Sequence, residues 1–323
     1  MSSEPRISVV VPTIRLNDRV RTCIEHLKRQ TYRNFDVYVV TDEPESFPVD
    51  GLDVRFLASG PVLPNHKRLQ AARASDADLI ALIDDDAYAV PDWLAVAAHH
   101  FADPRVVAAG GPGVTPPEDG PSQRVSGAIY ASPLVSAGQI LRYVPRALRD
   151  VGFLPSCNFL ARREPFLAAA AEALKYWSGE DVMLCRWLAR GGDRIVYDPA
   201  VIVFHHRRPL FWGHFRQVWN YAIHRGFFIK RFPDTSRNPQ YCVPALFVAG
   251  NVTFALVPLA SQPVRVTLLG LAGAYAILVG LEALRAQRAH AVNPLAVALG
   301  IYLTHLTYGA GFLAGLSRRE LDH

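Results

Sequence analysis

Three consecutive aspartates, Asp84-Asp85-Asp86, stand at the end of an apolar run, Ala77-Asp78-Leu79-Ile80-Ala81-Leu82-Ile83. Carboxylates this close repel and are costly to ionise together without a cation among them. A hard divalent ion held between their oxygens and the phosphates of a substrate meets that need. A second acidic pair, Glu180-Asp181, precedes Val182, Leu184, Cys185 and Leu188, whose spacing predicts a helix. At a helix N-terminus such a pair can simply complement the dipole, worth ~0.3–1 kcal/mol. A carboxylate there can also serve as a base. Two histidines, His205-His206, close the strand-like run Val201-Ile202-Val203-Phe204. Histidines at a strand end are ordinarily surface residues, and only the aspartates upstream make these candidate metal ligands.

The elements that must position these groups read as a parallel α/β pattern. Ile7–Thr13 is a β-branched run ended by Pro12 and Thr13, and Phe35–Val40 is a second run ending at Thr41-Asp42-Glu43-Pro44. Between them Val20, Cys23, Ile24 and Leu27 recur at helical spacing. Strand, helix, strand at this length is a parallel βαβ unit. Val54–Leu57 reads as a third strand, His66–Ala74 as a helix, and the run before Asp84 as a strand buried on both faces. In such sheets ligands bind beyond the carboxyl ends of the strands, which is where the aspartates fall. Asp92 before Trp93 reads as the next helix's cap, so Asp84 to Asp86 are not needed for that duty. Neither GxGxxG nor GxxxxGK[ST] follows any strand. Residues 114–150 are rich in Pro, Gly and Ser and read as one long loop, either functional, such as a lid or acceptor-binding loop, or partly disordered. Phe166–Tyr176 reads as a helix, and Asp193–Pro199 as a strand.

Composition narrows the setting. The formal charge is +5 and half the residues are hydrophobic. Lys and Arg form no long run with interleaved aromatics, which ranks nucleic acid low among partners and an anionic membrane or substrate high. Cys23, Cys157, Cys185 and Cys242 lie far apart, with no CxxC pair, which fits a reducing compartment. Nothing at the N-terminus has the layout of a secretory signal, so a cytoplasmic first domain is expected. From Phe211 to Phe232 aromatic and basic residues interleave at helical spacing, as in a helix lying at a membrane interface. Beyond Tyr241 come three apolar stretches, Pro244–Ala260, Val266–Leu281 and Pro294–Leu316. These predict two or three spans, with three preferred, a packing motif of small residues at Gly311 and Gly315, and a protein of the cell (inner) membrane.

In order, Val10-Val11-Pro12-Thr13, the run Asp78 to Asp86 followed by Val90-Pro91-Asp92-Trp93-Leu94, Asn158 to Arg163, Gly179 to Cys185, and Tyr197 to His205 resemble the family 2 glycosyltransferases. Asn65-His66-Lys67 is similar to a stretch of ceramide glucosyltransferase-like members. The resemblance implies a GT-A fold, Rossmann-like with a mostly parallel sheet, over residues 1–236, with 211–232 as the interfacial helix and 237–323 as an α-helical membrane region. It implies that Pro12, Thr13, Asp42, Lys67, Asp84 and Asp85 bind the nucleotide-sugar and that Asp84, Asp86 and His205 hold Mn²⁺ or Mg²⁺, with His206 as the fallback. Asp181 would be the base, Glu180 its catalytic neighbour, and Asn158 an acceptor-side residue.

The chemistry asks for the same types. A diphosphate leaving group needs its charge neutralised, and an acceptor hydroxyl needs a carboxylate to take its proton. There are departures from the family pattern. Thr41-Asp42-Glu43-Pro44 replaces the usual two aspartates then Gly-Ser, which leaves the nucleotide open. Gln217-Val218-Trp219-Asn220-Tyr221 does not meet QxxRW, which argues against a processive synthase. The expected activity is inverting, metal-dependent transfer of one sugar from a nucleotide-diphosphate sugar to a lipid or lipid-linked hydroxyl at the cytoplasmic face. The alternatives are transfer to a polyprenyl phosphate and a non-catalytic scaffold of the same fold.

Overall fold

The structure is a computed structural model that describes residues 4–177, 179–255 and 261–321. Its strands are β1 (Ile7–Pro12), β2 (Phe35–Thr41), β3 (Val54–Ala58), β4 (Leu79–Leu82), β5 (Ala87–Ala89), β6 (Val106–Gly110), β7 (Gly113–Val114), β8 (Arg149–Asp150), β9 (Phe159–Arg162), β10 (Arg194–Tyr197) and β11 (Val203–His205). Its helices are α1 (Asp18–Leu27), α2 (Pro64–Ala74), α3 (Trp93–His99), α4 (Pro121–Tyr130), α5 (Pro133–Ser136), α6 (Arg163–Ala173), α7 (Glu180–Leu188), α8 (Trp212–Arg231), α9 (Pro233–Ser236), α10 (Val243–Ala255), α11 (Gln262–His290) and α12 (Pro294–Ser317). The chain divides into two compact units, Met1–Pro116 with Leu141–His206, and Pro117–Ile140 with Arg207–His323.

In the first unit β1 and β4 are buried at every position, as continuous apolar runs require when helices cover both faces of a sheet. The main sheet has the order β3-β2-β1-β4-β9-β6-β10-β8. β2, β1 and β4 are mutually parallel, as the βαβ reading predicts, while β9 runs antiparallel to both neighbours. Asn17 caps α1 through its side chain, and Val20, Cys23, Ile24 and Leu27 are its buried stripe. A second sheet, β5-β11-β7, consists of strands of two or three residues. Asp92 occupies the N-cap position of α3 but makes no capping bond. Its carboxylate instead accepts from the Thr31 hydroxyl at 2.8 Å.

The stretch 114–150 is not one loop. It contains β7, α4, α5 and β8, and prolines at the first turn start both helices, where a missing N–H costs nothing. A composition rich in turn formers hid two helix starts.

In the second unit α11 and α12 are, among the described residues, the helices long and apolar enough to cross a membrane. α11 runs well past the expected Val266–Leu281. It buries Val279, Ala283 and Ala286 and exposes Val264, Val266, Leu269, Leu271, Ile277 and Leu278, an apolar outer surface that suits lipid. The 13 residues of α10 cover ~20 Å at ~1.5 Å per residue, short of a span. Residues 256–260 of that apolar stretch lie outside the described residues. α8 packs against α12 with their backbones in contact. A Cβ on Gly315 would lie 2.1 Å from the Ile223 carbonyl oxygen, and one on Gly226 would lie 2.1 Å from that of Phe312. The small-residue motif therefore serves this seam. Trp212 remains exposed at the start of α8.

Candidate active site

β1, β2 and β4 end at the same edge of the sheet, and the groups singled out in the sequence follow them directly. Pro12 pairs with Val40 at the end of the β1–β2 ladder. One residue on, the Thr13 amide bonds the Val40 carbonyl at 2.9 Å, and the Asp42 amide bonds that of Ile14 at 3.0 Å. The Thr13 hydroxyl lies 2.7 Å from the Asp85 carboxylate. Lys67 comes from the buried side of α2 and donates to both the Asp42 carboxylate and the Thr13 carbonyl. At 2% exposure its ammonium ties the residue after β1 to the residue after β2.

The small sheet brings in the histidine. β11 pairs antiparallel with β5 so that His205 is opposite Ala87, next to Asp86, and the His206 amide bonds the Asp86 carbonyl at 3.0 Å. His205 Nε2 then lies 3.1 Å from Asp86 Oδ1 and 4.0 Å from Asp84 Oδ2. Ligand atoms of Asp84, Asp86 and His205 all fall within 4.8 Å of one another. Two carboxylates and one imidazole are a donor set for a hard or borderline divalent cation such as Mn²⁺ or Mg²⁺, so the residues fit the expected metal. Burial opposes charge on His205, but Cys157 and Asp86 beside it hold its pKa well above the usual histidine range. Cys23 lies buried on α1; burial first, then the three aspartates, push its thiol up, so it stays neutral.

Glu180 and Asp181 open α7 as expected, and Asp181 Oδ1 accepts from the Val182 amide at 2.8 Å. The link from this pair to the aspartates is Arg68, which the sequence reading missed. Its guanidinium donates to Asp84 at 2.6 Å and to Glu180 at 3.3 Å. Arg68 Nε and Glu180 Oε2 are both buried and, among the described residues, lack a hydrogen-bond partner. Burial first, then Asp181, pushes the Glu180 carboxyl up to about 8 against the pull of Arg68. The available signal was α2 itself, Pro64-Asn65-His66-Lys67-Arg68, a polar helical turn with Asn65, Lys67 and Arg68 all buried. Arg142 also reaches this pair, 4.0 Å from Asp181 Oδ2.

Asn158 corrects the expectation. It is fully buried, its oxygen accepts from Trp93 Nε1 at 2.8 Å, and its nitrogen donates to the carbonyls of Pro112 and Val201 at 3.0 and 2.7 Å. A side chain with no exposed atom cannot meet an acceptor, so Asn158 is a clamp of the fold.

Residues 8–168 match the family described as Glycosyl transferase family 2. Two curated relatives, each named pre-mycofactocin glycosyltransferase, from Mycobacterium tuberculosis strains CDC 1551 / Oshkosh and ATCC 25618 / H37Rv, are 24% identical over 262 residues, 78% of this chain and 52% of theirs. The chain thus spans about half the length of the curated relatives it matches. Among solved structures, a mannosyltransferase from Pyrobaculum calidifontis in complex with GDP-Man and Mn²⁺ aligns over 97% of this chain and 86% of its own, with a TM-score of 0.62 at 18% identity. GalNAc-T7 with UDP, GalNAc and Mn²⁺ aligns over 74% of this chain and 52% of its own, with a TM-score of 0.50 at 14% identity. At these identities the structural likeness establishes the fold, GT-A. Glu180, Asp181 and His205 lie beyond the matched family segment and stand on the geometry alone. The chain belongs to the family 2 glycosyltransferases.

Proposed function

We propose that the protein transfers a single sugar, with inversion, from a nucleotide-diphosphate sugar to a hydroxyl of a lipid or lipid-linked acceptor at the cytoplasmic face of the cell membrane. The observation that carries this reading is the convergence at one sheet edge of Asp84, Asp86 and His205 with Glu180 and Asp181, joined through Arg68. Asp84, Asp86 and His205 would hold Mn²⁺ or Mg²⁺, which when bound neutralises the charge of the diphosphate leaving group. Thr13 and Asp42 line the nucleotide side, with Asp42 directed to ribose or base and kept in place by Lys67. Asp181 takes the proton of the acceptor hydroxyl. Its orientation is held by the Val182 amide and the nearby Arg142. Glu180 stays buried and holds Arg68, which in turn orients Asp84. Direct attack on the anomeric carbon, with the base opposite the leaving group, inverts the configuration.

The Pyrobaculum mannosyltransferase was solved with GDP-Man and matches nearly the whole chain, so GDP-mannose is the first donor to test. Thermal shift of the detergent-solubilised protein with nucleoside diphosphates should show stabilisation that requires Mn²⁺. A non-catalytic scaffold predicts no such metal-dependent binding.

A second reading has one observation in its favour. Arg142 beside Asp181 suits an anionic acceptor, such as a polyprenyl phosphate, which needs no base. Asp181→Asn separates the two. A hydroxyl acceptor requires turnover to fall by about 10²–10⁴ with donor binding intact. A phosphate acceptor leaves Asp181→Asn active and makes Arg142→Gln the damaging change.

A further inference from the structure

The second unit holds a cavity of about 280 Å³, lined by the first turns of α4, the residues just before α8, and the turn from α11 into α12. The Ser122 hydroxyl donates to the Leu210 carbonyl at 2.5 Å, and the Leu210 amide donates to the Ser122 carbonyl at 3.3 Å, which fixes α4 to the segment before α8. Val125, Leu210, Phe211, Val292 and Ala296 make the lining largely apolar. Its polar members include Arg124 and Asn293. Arg124 is partly buried, and its Nε is buried without a hydrogen-bond partner. Among the described residues its guanidinium makes no ion pair and no side-chain hydrogen bond. Asn293 spends its oxygen on the Leu295 and Ala296 amides, at 2.9 and 3.2 Å, so its NH₂ group remains a donor.

A guanidinium that has given up water without gaining a counter-charge is suited to an anion, because buried charge is stable only when paired. The apolar lining asks that the anion be joined to carbon. Trp212 and Leu295, next in sequence to Phe211 and Ala296, are 81% and 79% exposed, as side chains at a headgroup layer are. Nearby in sequence, the last turns of α11 carry Arg285 and Arg288 among exposed Leu281 and Leu284. Glu282 pairs with Arg285 at 3.1 Å, which leaves the positive charge in excess. We propose that the cavity binds the phosphodiester of an anionic phospholipid, held by Arg124 and Asn293, with the glycerol against the apolar lining. Ordinary ligand pockets enclose roughly 300–1,000 Å³, so this one suits a headgroup and its glycerol rather than acyl chains. The site is complete within the second unit and independent of the donor and metal groups proposed for the first.

The test is calorimetric titration of dihexanoylphosphatidylglycerol, below its micellar concentration, into the full chain in an uncharged detergent, with inorganic phosphate titrated in parallel. Arg124→Gln should bind the lipid at least about 10-fold more weakly than the wild type, with a lipid-free melting temperature that holds or rises. Arg288→Gln removes an exposed charge outside the cavity and should weaken binding by about fivefold or less. Ala296→Leu adds bulk to the cavity lining and should block the lipid, which reads out the site even where Arg124→Gln fails to fold. Inorganic phosphate should bind the wild type at least about 10-fold more weakly than the lipid, since it gains nothing from the apolar lining. Wild-type protein that does not bind the lipid overturns the proposal, and so does unchanged affinity in Arg124→Gln or Ala296→Leu. Equal losses in Arg124→Gln and Arg288→Gln would make the attraction a diffuse property of the basic surface and overturn it as well. Phosphate binding as tight as the lipid's, with the same dependence on Arg124, would make this a free-anion site and overturn the lipid assignment.

Discussion

The two ends of the same three strands each carry carboxylates among arginines, and they are built to opposite standards. At the amino ends of β1, β2 and β4, buried Asp36 accepts from the Ser8 hydroxyl at 2.5 Å and from Arg6 at 2.8 Å, with Arg55 at 3.6 Å. Ser8 also meets Ser75 at 2.7 Å, and Asp78 accepts from the Arg6 amide at 2.8 Å. No buried side-chain atom of this cluster is without a partner among the described residues. At the carboxyl ends three aspartates are stacked in sequence, while Glu180 Oε2 and Arg68 Nε are buried and unmatched. An unmatched buried polar group costs about 1–3 kcal/mol, and such costs persist in native proteins where function needs them. The amino end is a finished network that holds strands together. The carboxyl end is left incomplete, as the proposed donor and metal site would require.

This contrast predicts that a carboxylate removed from one end costs activity, and from the other stability. The largest effect is expected for Asp86→Asn, which keeps the shape and a hydrogen bond to His205 but removes a charge that the proposal assigns to the metal. Turnover should drop at least about 10²–10³-fold, while the metal-free melting temperature holds or rises. A marked loss of melting temperature would erase the distinction. Next is Asp36→Ala, which strands Ser8 and Arg6 and should lower unfolding free energy by about 1–3 kcal/mol in denaturant melts. The folded fraction should keep its kcat, and a loss of kcat would mean that the amino end communicates with the site.

The smallest effect is in pH dependence. The folded Glu180 pKa, about 8, lies above its unfolded value near 4.5. Between these values the native state holds a proton that the unfolded chain has released, so this contribution to stability is full at low pH and is lost as pH rises toward 8. Glu180→Gln should flatten that slope in urea melts of the metal-free protein at pH 6 and pH 8. An unchanged slope would show that Arg68 already keeps the carboxylate ionised.

What was legible in the sequence follows the range of the forces involved. β1, β2 and β4 were readable because strands buried on both faces must be apolar without interruption, and their ends placed Thr13, Asp42 and Asp84 to Asp86 together. The Glu180-Asp181 pair was readable from the stripe behind it. The choice between His205 and His206 was not, because it depends on the register of β11 against β5, set by strands too short to leave a pattern. Arg68 was not readable either, since its role is defined by Asp84 and by Glu180, 112 positions away. Asn158 was misread because a buried amide and a ligand-facing amide look identical in sequence. Only its three bonds tell them apart.

The glycine-lined seam between α8 and α12 has a consequence for sidedness. His214, early in α8, meets Thr304 at 3.0 Å, and Lys230, at its end, donates to the Arg318 carbonyl at 2.8 Å, so the two helices run in the same direction. The end of α8 and the end of α12 therefore share one depth. Between them the chain passes through α10, α11 and α12. Crossings reverse sides one at a time, and two points in contact cannot lie on opposite faces of a ~30 Å layer. Were α11 and α12 both to cross, Lys230 and Arg318 would lie on the same side. Arg318 and Arg319 would then share the compartment that holds the end of α8.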